Sequence, residues 1–274
     1  YFRNNFFFRN CVLTRNQHNT DVNNYEKPVH YLLSERIRFE IQTLITVRPQ
    51  ITYYGHSCFS VLIGGKSILF DPFISPNPKA SMVDVSTIKP DVILITHGHG
   101  DHIADAVKIA KASKAQVVAP YEIVIWLQEE GVENCIPMNT GGNLNLGFCK
   151  LKMVRAEHGS SLPDGRYAGN AVGYVIQDTQ CCFYYAGDTA LTLDMQLIPL
   201  EFKLDFCFLP IGDNFTMGIS DACKASKLVN CKKVVGMHFD TFPPIEIDHK
   251  QALDEFEKED LNLILPVINQ TIEL

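Results

Sequence analysis

Residues 97–102 read His97-Gly98-His99-Gly100-Asp101-His102, and this segment decides how the rest of the 274-residue chain is interpreted. This segment places three imidazoles and one carboxylate within six residues, and both groups are suitable ligands for zinc and related transition metals. An apolar run at 92–96 precedes it and predicts a buried strand; Asp101 is the expected N-cap of a following helix. A solvated histidine-rich turn is the alternative. Ligands fixed between a strand and a helix are held rigidly, so we predict a metal site.

Other candidate ligands stand at the ends of further apolar runs. The runs at 152–157, 183–187 and 234–237 lead into His158, Asp188 and His238, and the run at 68–70 leads into Asp71. Each is a weak indication alone, because a single histidine is more often structural. Open α/β sheets place their sites at the carboxyl ends of strands. We therefore expect these side chains to gather at one edge.

Strand and helix patterns interleave through the body of the chain. With 46% hydrophobic residues, the sequence can form a large core. Gly64-Gly65 between two alternating runs predicts a hairpin, and Ser220 is the expected N-cap of a helix reaching Val229. The expected class is α/β or α+β, with antiparallel hairpins mixed in.

Net charge and cysteine content limit the binding partners and the cellular compartment that are expected. The net charge is −7, so no nucleic-acid partner is expected. No apolar stretch is long enough for a stable membrane insertion. The nine cysteines form no C-x-x-C pair, which favours free thiols in the cytoplasm. A small-molecule substrate is the expected partner, and the sequence is compatible with a homo-oligomer.

Residues 1–50 differ from the rest of the chain. They carry seven basic and four acidic residues, whereas residues 51–274 carry 17 basic and 27 acidic ones. We expect an atypical N-terminal extension that is peripheral to the chemistry or partly ordered, with an element packing on the body at 32–47. A targeting segment, a cloning remnant and translated upstream sequence all remain open as its origin.

The motif order H-x-H-x-D-H, a later histidine, Gly-Asp and a last histidine resembles the metallo-β-lactamase superfamily over residues 51–274. Other strings are similar to the branch that contains the ascorbate-phosphate lactonase-like proteins and the UPF0173 hydrolases. These strings are YYGHSCF at 53–59, DPFIS at 71–75, HGSS at 158–161, AGDT at 186–189, PIGDNFTMG at 210–218 and MHFDTFP at 237–243. Residues 1–50 have no recognised counterpart there.

The resemblance implies a four-layer αββα sandwich with two divalent metal ions at one edge of its sheets. Zinc is the default metal, with manganese or iron as alternatives. The implied ligands are His97, His99 and His158 for one ion, Asp101, His102 and His238 for the other, and Asp188 as the bridge.

The corresponding chemistry is attack by a metal-bridging hydroxide. Asp101 is expected to orient it and accept a proton, and His56 to contact substrate or transfer a proton; a structural histidine is the alternative for His56. Asp71 is expected to hold a ligand imidazole, with a plain turn aspartate as its alternative. The candidate substrate-binding residues are Asn170, Asn214 and Thr241.

The sequence therefore predicts a hydrolase that cleaves an ester, lactone, amide or phosphodiester bond. A phosphodiesterase acting on nucleic acid would need a basic groove, which the acidic body disfavours. One acting on lipid would need an exposed apolar patch. A non-catalytic metal-binding protein would predict a broken ligand set, yet all the ligand positions are filled.

Overall fold

A computed structural model describes residues 48–274, which form two seven-stranded sheets packed face to face. Strand β1 begins at Gln50. The predictions for the N-terminal extension, including an element at 32–47, lie outside the described residues.

The strands alternate with short connections along the chain. In chain order they are β1 Gln50–Gly55, β2 Cys58–Ile63, β3 Lys66–Phe70, β4 Val92–Leu94, β5 Gln116–Pro120, β6 Cys135–Met138, β7 Asn143–Asn145, β8 Lys150–Arg155, β9 Val172–Gln177, β10 Cys182–Tyr185, β11 Phe206–Pro210, β12 Lys233–Met237, β13 Asn262–Ile264 and β14 Thr271–Glu273.

The helices are short and cover the outer faces of the sheets. They are α1 Gly100–Ile103, α2 Ala106–Ser113, α3 Tyr121–Glu129, α4 Ile198–Glu201, α5 Ile219–Leu228 and α6 His249–Lys258, with 3-10 turns at Pro78–Ala80, Val85–Thr87, Leu193–Leu197 and Pro243–Ile245. Within residues 48–274, no helix combines the length and the apolar character that crossing a membrane requires.

Each sheet has an antiparallel half and a parallel half. The first sheet has the order β14-β1-β2-β3-β4-β5-β6, and the second has the order β13-β12-β11-β10-β9-β8-β7. Strands β3 to β6 are parallel in the first sheet, as are β10 to β13 in the second. The C-terminal strand β14 returns to the first sheet and pairs with β1.

Aromatic side chains fill the space between the sheets. Phe70 of the first sheet stacks on Tyr185 of the second with ring centroids 4.3 Å apart, and Phe59 contacts Phe208 at 4.7 Å. A second apolar cluster lies between the first sheet and the helices α2 and α3. Since α5 and α6 pack on the second sheet, the layers run helix, sheet, sheet, helix. The predicted αββα sandwich is confirmed.

The predicted hairpin is present, whereas three short strands carry little strand pattern in their sequences. Gly64 and Gly65 join β2 to β3 with positive φ at both positions, as a type I′ turn requires. Strands β6, β13 and β14 were not anticipated. They are short and lie at sheet edges, and β6 contains Pro137, so their sequences carry little strand pattern.

Two predicted helix starts are wrong. Asp101 lies inside the short helix α1, whose N-cap position is His99, and the longer helix α2 begins after Asp105. The Asp105 carboxylate accepts hydrogen bonds from the backbone N–H groups of Ile74 and Ser75 at 2.7 Å, so it ties a neighbouring loop to this turn. Helix α5 has Gly218, not Ser220, at its N-cap position.

Candidate metal centre

The candidate ligands gather at one edge of the sandwich, where strands of both sheets end. His97 follows β4, and His99 to His102 form the start of α1. In the second sheet, His158, Asp188 and His238 follow β8, β10 and β12. Because these strands run in the same direction, their carboxyl ends bring distant parts of the chain together.

Three groups of side chains at this edge have the spacing of metal ligands. In each group, the nitrogen and oxygen atoms lie within 4.8 Å of one another. The groups are His97 with His99 and His158; His56 with Asp101, His102 and His238; and His97 with His102 and Asp188. The first two match the ligand sets that the resemblance implied, except that His56 joins the second.

Asp188 lies between the groups. Its Oδ2 atom is 2.9 Å from His238 Nε2 and 3.3 Å from His102 Nε2. It is also 3.6 Å from His158 Nε2 and 3.9 Å from His97 Nε2. The carboxylate is 2% exposed, so water screens these interactions poorly. One buried anion thus faces imidazoles of both predicted metal sets.

Burial keeps the first set of imidazoles neutral. It lowers the pKa of His97 well below its ordinary value and also lowers the pKa values of His99 and His158. At His102, burial acts in the same direction, but Asp188 and Asp71 outweigh it and raise the pKa. Burial alone would raise the pKa of Asp188, yet His102 and His238 hold it well below the usual range. The neutral imidazoles of His97, His99 and His158 and the ionised carboxylate of Asp188 are the states that metal binding needs.

Asp71 holds two of the imidazoles. Its Oδ2 lies 3.0 Å from His102 Nδ1 and accepts a hydrogen bond from the Thr96 hydroxyl at 2.7 Å. Since that hydroxyl donates to Asp71, its oxygen is left to accept from His97 Nδ1, 3.0 Å away. Both rings then carry a proton on Nδ1 and present Nε2 to the centre, which is the orientation that outer-shell carboxylates impose on ligand histidines.

A second chain of contacts runs from Thr241 through His56 to Asp101. His56 Nδ1 lies 2.9 Å from Thr241 Oγ1, and His56 Nε2 lies 3.2 Å from Asp101 Oδ2. Burial, aided by His238, lowers the pKa of His56 to about 4, so the ring is neutral. Burial would raise the pKa of Asp101, but the hydrogen bond from His56 and the charge of His102 outweigh burial and hold this pKa below its ordinary value.

The backbone at this edge takes conformations that side chains disfavour. His56, Asp71 and His238 all have positive φ, at 58°, 41° and 55°. The His238 N–H donates to the His56 carbonyl at 2.9 Å, which ties the turns of the two sheets together. Gly187 has φ of 62°, and a Cβ there would lie 2.8 Å from the Val172 carbonyl oxygen. Strained backbone concentrated beside polar groups is typical of functional sites.

Buried polar atoms without a hydrogen-bond partner test whether the centre suits a metal. They include His102 Nε2, Asp188 Oδ1 and His238 Nδ1. Leaving such atoms unpaired costs about 1–3 kcal/mol each, and most buried polar groups are paired. A divalent ion would satisfy an unpaired imidazole nitrogen and carboxylate oxygen at once, so the donor set fits a metal.

The three candidate substrate-binding residues have different surroundings. Asn170 is exposed and lines a cavity of about 300 Å³ together with His158. Asn214 is exposed on a turn whose Met217 N–H donates to the Thr189 carbonyl, next to Asp188. Thr241 is 4% exposed and holds His56, so its surroundings are those of a positioning group.

The sequence did not identify Thr96 or Tyr185 as residues of the site. The Tyr185 hydroxyl lies 3.2 Å from Asp71 Oδ2 and also donates to the Ser57 carbonyl. Thr96 offered one signal, since a hydroxyl ends an otherwise apolar run directly before His97. Tyr185 offered none, because an aromatic residue in a strand is ordinary core.

A family model described as a beta-lactamase superfamily domain matches residues 50–238. The αββα fold and the set of histidine and aspartate donors define the same class of protein. UPF0173 metal-dependent hydrolases of Methylacidiphilum infernorum and Flavobacterium johnsoniae are 47% and 48% identical to the chain, covering 82% of it and all of their own length. The solved structure of Igni18, a metallo hydrolase from Ignicoccus hospitalis, is 32% identical, with a TM-score of 0.74 over 83% of this chain and all of that one. The chain belongs to the UPF0173 metal-dependent hydrolases of the beta-lactamase superfamily.

Proposed function

We propose that the chain is a binuclear metal-dependent hydrolase that cleaves an ester, lactone, amide or phosphodiester bond of a small molecule. The observation that carries this proposal is the position of Asp188, whose carboxylate oxygen lies within 3.9 Å of imidazoles from two groups of candidate ligands. The proposed first set is His97, His99 and His158, the proposed second set is Asp101, His102 and His238, and Asp188 joins them.

Two divalent ions bound here would supply a hydroxide nucleophile near neutral pH and would polarise the oxygen of the reacting carbonyl or phosphoryl group. Zinc is the metal we propose, because nitrogen and oxygen donors predominate; manganese and iron share that preference. The chain's own contribution is to present carboxylate and imidazole donors in fixed orientations.

Asp101 is the proposed proton acceptor, and His56 with Thr241 positions it. An ionised carboxylate only accepts hydrogen bonds, so His56 Nε2 carries the proton that faces Asp101. His56 Nδ1 is then the acceptor for the Thr241 hydroxyl. This chain fixes the Asp101 carboxylate and keeps it ionised, which is the state that accepts a proton.

Replacing His56 or Thr241 is expected to slow turnover without removing metal. Thr241→Val keeps the shape of the side chain but leaves His56 Nδ1 unpaired, which costs about 1–3 kcal/mol. The same loss of transition-state stabilisation corresponds to a drop in kcat of roughly 5-fold to 150-fold. His56→Gln is expected to lower kcat by about 10²-fold or more. Steady-state kinetics and metal analysis on the same preparations check this.

Thr179→Val changes an exposed threonine in the same way and is expected to leave kcat unchanged. A loss of one metal ion per chain in His56→Gln would contradict the positioning role and make His56 a ligand of the second set.

Removal of metal is expected to lower thermal stability. A ligand present at a hundred times its dissociation constant stabilises the folded state by about 2.7 kcal/mol. For a chain of this size, the loss corresponds to a fall in melting temperature of roughly 5–11 °C. Differential scanning calorimetry before and after chelation, and after zinc is returned, measures it.

His249→Ala is the matched control, since His249 is an exposed histidine at the start of α6. It should keep the difference between metal-loaded and chelated protein, whereas His97→Ala should abolish most of it. Equal melting temperatures for loaded and chelated wild-type protein would oppose a structural contribution from bound metal.

The function itself is tested with a panel of lactones, carboxylic esters, amides and bis-aryl phosphodiesters, each assayed with metal-loaded and chelated protein. The proposal expects turnover of at least one bond class that stops on chelation and returns with added zinc. Full metal occupancy with no turnover of any bond class would favour a non-catalytic metal-binding protein instead.

A further inference from the structure

We infer that the substrate carries an apolar group, which lies in a separate cavity that adjoins the polar cavity lined by His158. This inference rests on the proposed function and narrows its substrate class. The cavity has a volume of about 310 Å³, at the lower end of the roughly 300–1,000 Å³ of ligand pockets.

The cavity lies between strand β8 and the segment 194–202, with Tyr184 of β10 among its lining residues. Its apolar lining is supplied by Val154, Met195, Leu197, Ile198 and Phe202. Tyr184, Met195 and Ile198 are buried. An apolar pocket of this kind gains most from a hydrocarbon or aryl group, because burying such a group removes apolar surface from water.

The apolar cavity adjoins the polar cavity that His158 lines. Both cavities are bounded by Thr140 and Arg155. His158 and Asn170 belong to the polar one, whose volume is about 300 Å³. A ligand with its reacting bond near His158 would therefore direct an attached chain past Arg155 into the apolar cavity.

The charged side chains around the apolar cavity are already paired. Lys152 Nζ lies 3.5 Å from Glu201 Oε2. Arg155 lies 2.6 Å from Glu157 Oε2 and 3.6 Å from Asp194 Oδ2. These pairs leave no excess charge to attract an ionic group, so the cavity favours an uncharged chain over a second phosphate or carboxylate.

Leu197 bounds the cavity while leaving 61% of its surface exposed. Leu200 is 78% exposed on the same segment but does not line the cavity. A chain in the cavity would cover Leu197 and leave Leu200 in water, which makes these leucines a matched pair for a test.

The test uses 4-nitrophenyl esters of acetate, butyrate, hexanoate and decanoate with the zinc-loaded full chain. Each buried methylene is worth about 0.8 kcal/mol, so kcat/KM should rise roughly threefold to fourfold per methylene until the cavity is full. Leu197→Gln should lower the ratio of kcat/KM for hexanoate to kcat/KM for acetate by about tenfold. Leu200→Gln should behave as wild type at every chain length.

A cavity-filling variant gives an independent reading. Val154→Phe places a larger side chain in the cavity and should move the preferred ester to a shorter chain. A wild-type profile without any dependence on chain length would overturn the inference, as would equal effects of Leu197→Gln and Leu200→Gln.

Binding of butyrate, hexanoate and decanoate, measured by calorimetry on zinc-loaded and chelated protein, separates this inference from the proposed function. Tighter binding of the longer acids, weakened by Leu197→Gln but not by Leu200→Gln, supports the cavity even if no ester is hydrolysed. Light scattering measures the oligomeric state of the wild-type protein and of Leu197→Gln. A dimer that Leu197→Gln dissociates would overturn the inference, because the cavity would then be a subunit interface.

Discussion

Asp188→Asn is expected to reduce metal content to one ion or fewer per chain and to lower kcat/KM by about 10³-fold or more. Its carboxylate oxygen lies within 3.9 Å of imidazole nitrogens of His97, His102, His158 and His238. An amide keeps the shape but removes the charge and one acceptor. Metal ions contribute several kcal/mol to stabilising the transition state, and each 1.36 kcal/mol is a factor of ten in rate.

Inductively coupled plasma mass spectrometry and the most active ester of the panel provide the measurement. Asp221→Asn, on the exposed first turn of α5, is the control and should retain both metal and rate. Unchanged metal content and rate in Asp188→Asn would contradict the assignment of Asp188 as the residue that joins the two sets.

Asp71→Asn is expected to weaken metal binding by about 10-fold to 100-fold, although Asp71 itself is not a proposed ligand. The Thr96 N–H donates to Oδ1 at 2.8 Å, which fixes the amide oxygen of asparagine at that position. The new NH₂ group then faces His102 Nδ1, 3.0 Å from the present Oδ2. The asparagine NH₂ group would donate to His102 Nδ1, so the ring proton would move to Nε2. A protonated Nε2 cannot coordinate a metal ion.

Titration of zinc against a competing chelator measures this loss of affinity. Asp91→Asn removes an exposed carboxylate at the start of β4 and should leave affinity unchanged. The proposed tautomer shift also predicts altered His102 ring nitrogen signals in NMR spectra of the labelled protein. Wild-type zinc affinity in Asp71→Asn would show that the contact with His102 does not orient a ligand.

Most of the fold was predictable because its signals are local. The apolar runs at 68–70, 92–96, 152–157, 183–187 and 234–237 coincide with β3, β4, β8, β10 and β12, and Gly64-Gly65 predicted a hairpin whose turn needs positive φ. The position of candidate ligands after these runs predicted that His97, His158, Asp188 and His238 would meet, and the structure brings them together.

Other features depend on tertiary contacts that a single sequence does not display. Helix α2 begins after Asp105, whose carboxylate accepts hydrogen bonds from backbone N–H groups of Ile74 and Ser75, which are far from it in the sequence. Strand β14 exists through its pairing with β1 at the opposite end of the described chain. His56 joins the second ligand group only because two turns from different sheets meet at the same edge.

The apolar cavity was equally invisible in the sequence. Leu197 and Val154 lie far apart along the chain, and each is an ordinary partly exposed apolar residue by itself. Only the packing of segment 194–202 against β8 makes them walls of one space. The proposed apolar subsite therefore depends on tertiary contacts that sequence motifs do not show.

The central claim is that this edge of the sandwich holds two metal ions on either side of Asp188. The most direct measurement is an anomalous difference map from a zinc-loaded crystal, collected on both sides of the zinc absorption edge. The account predicts two peaks, one among His97, His99 and His158 and one among Asp101, His102 and His238. A single peak, or peaks that contact neither set, would contradict it.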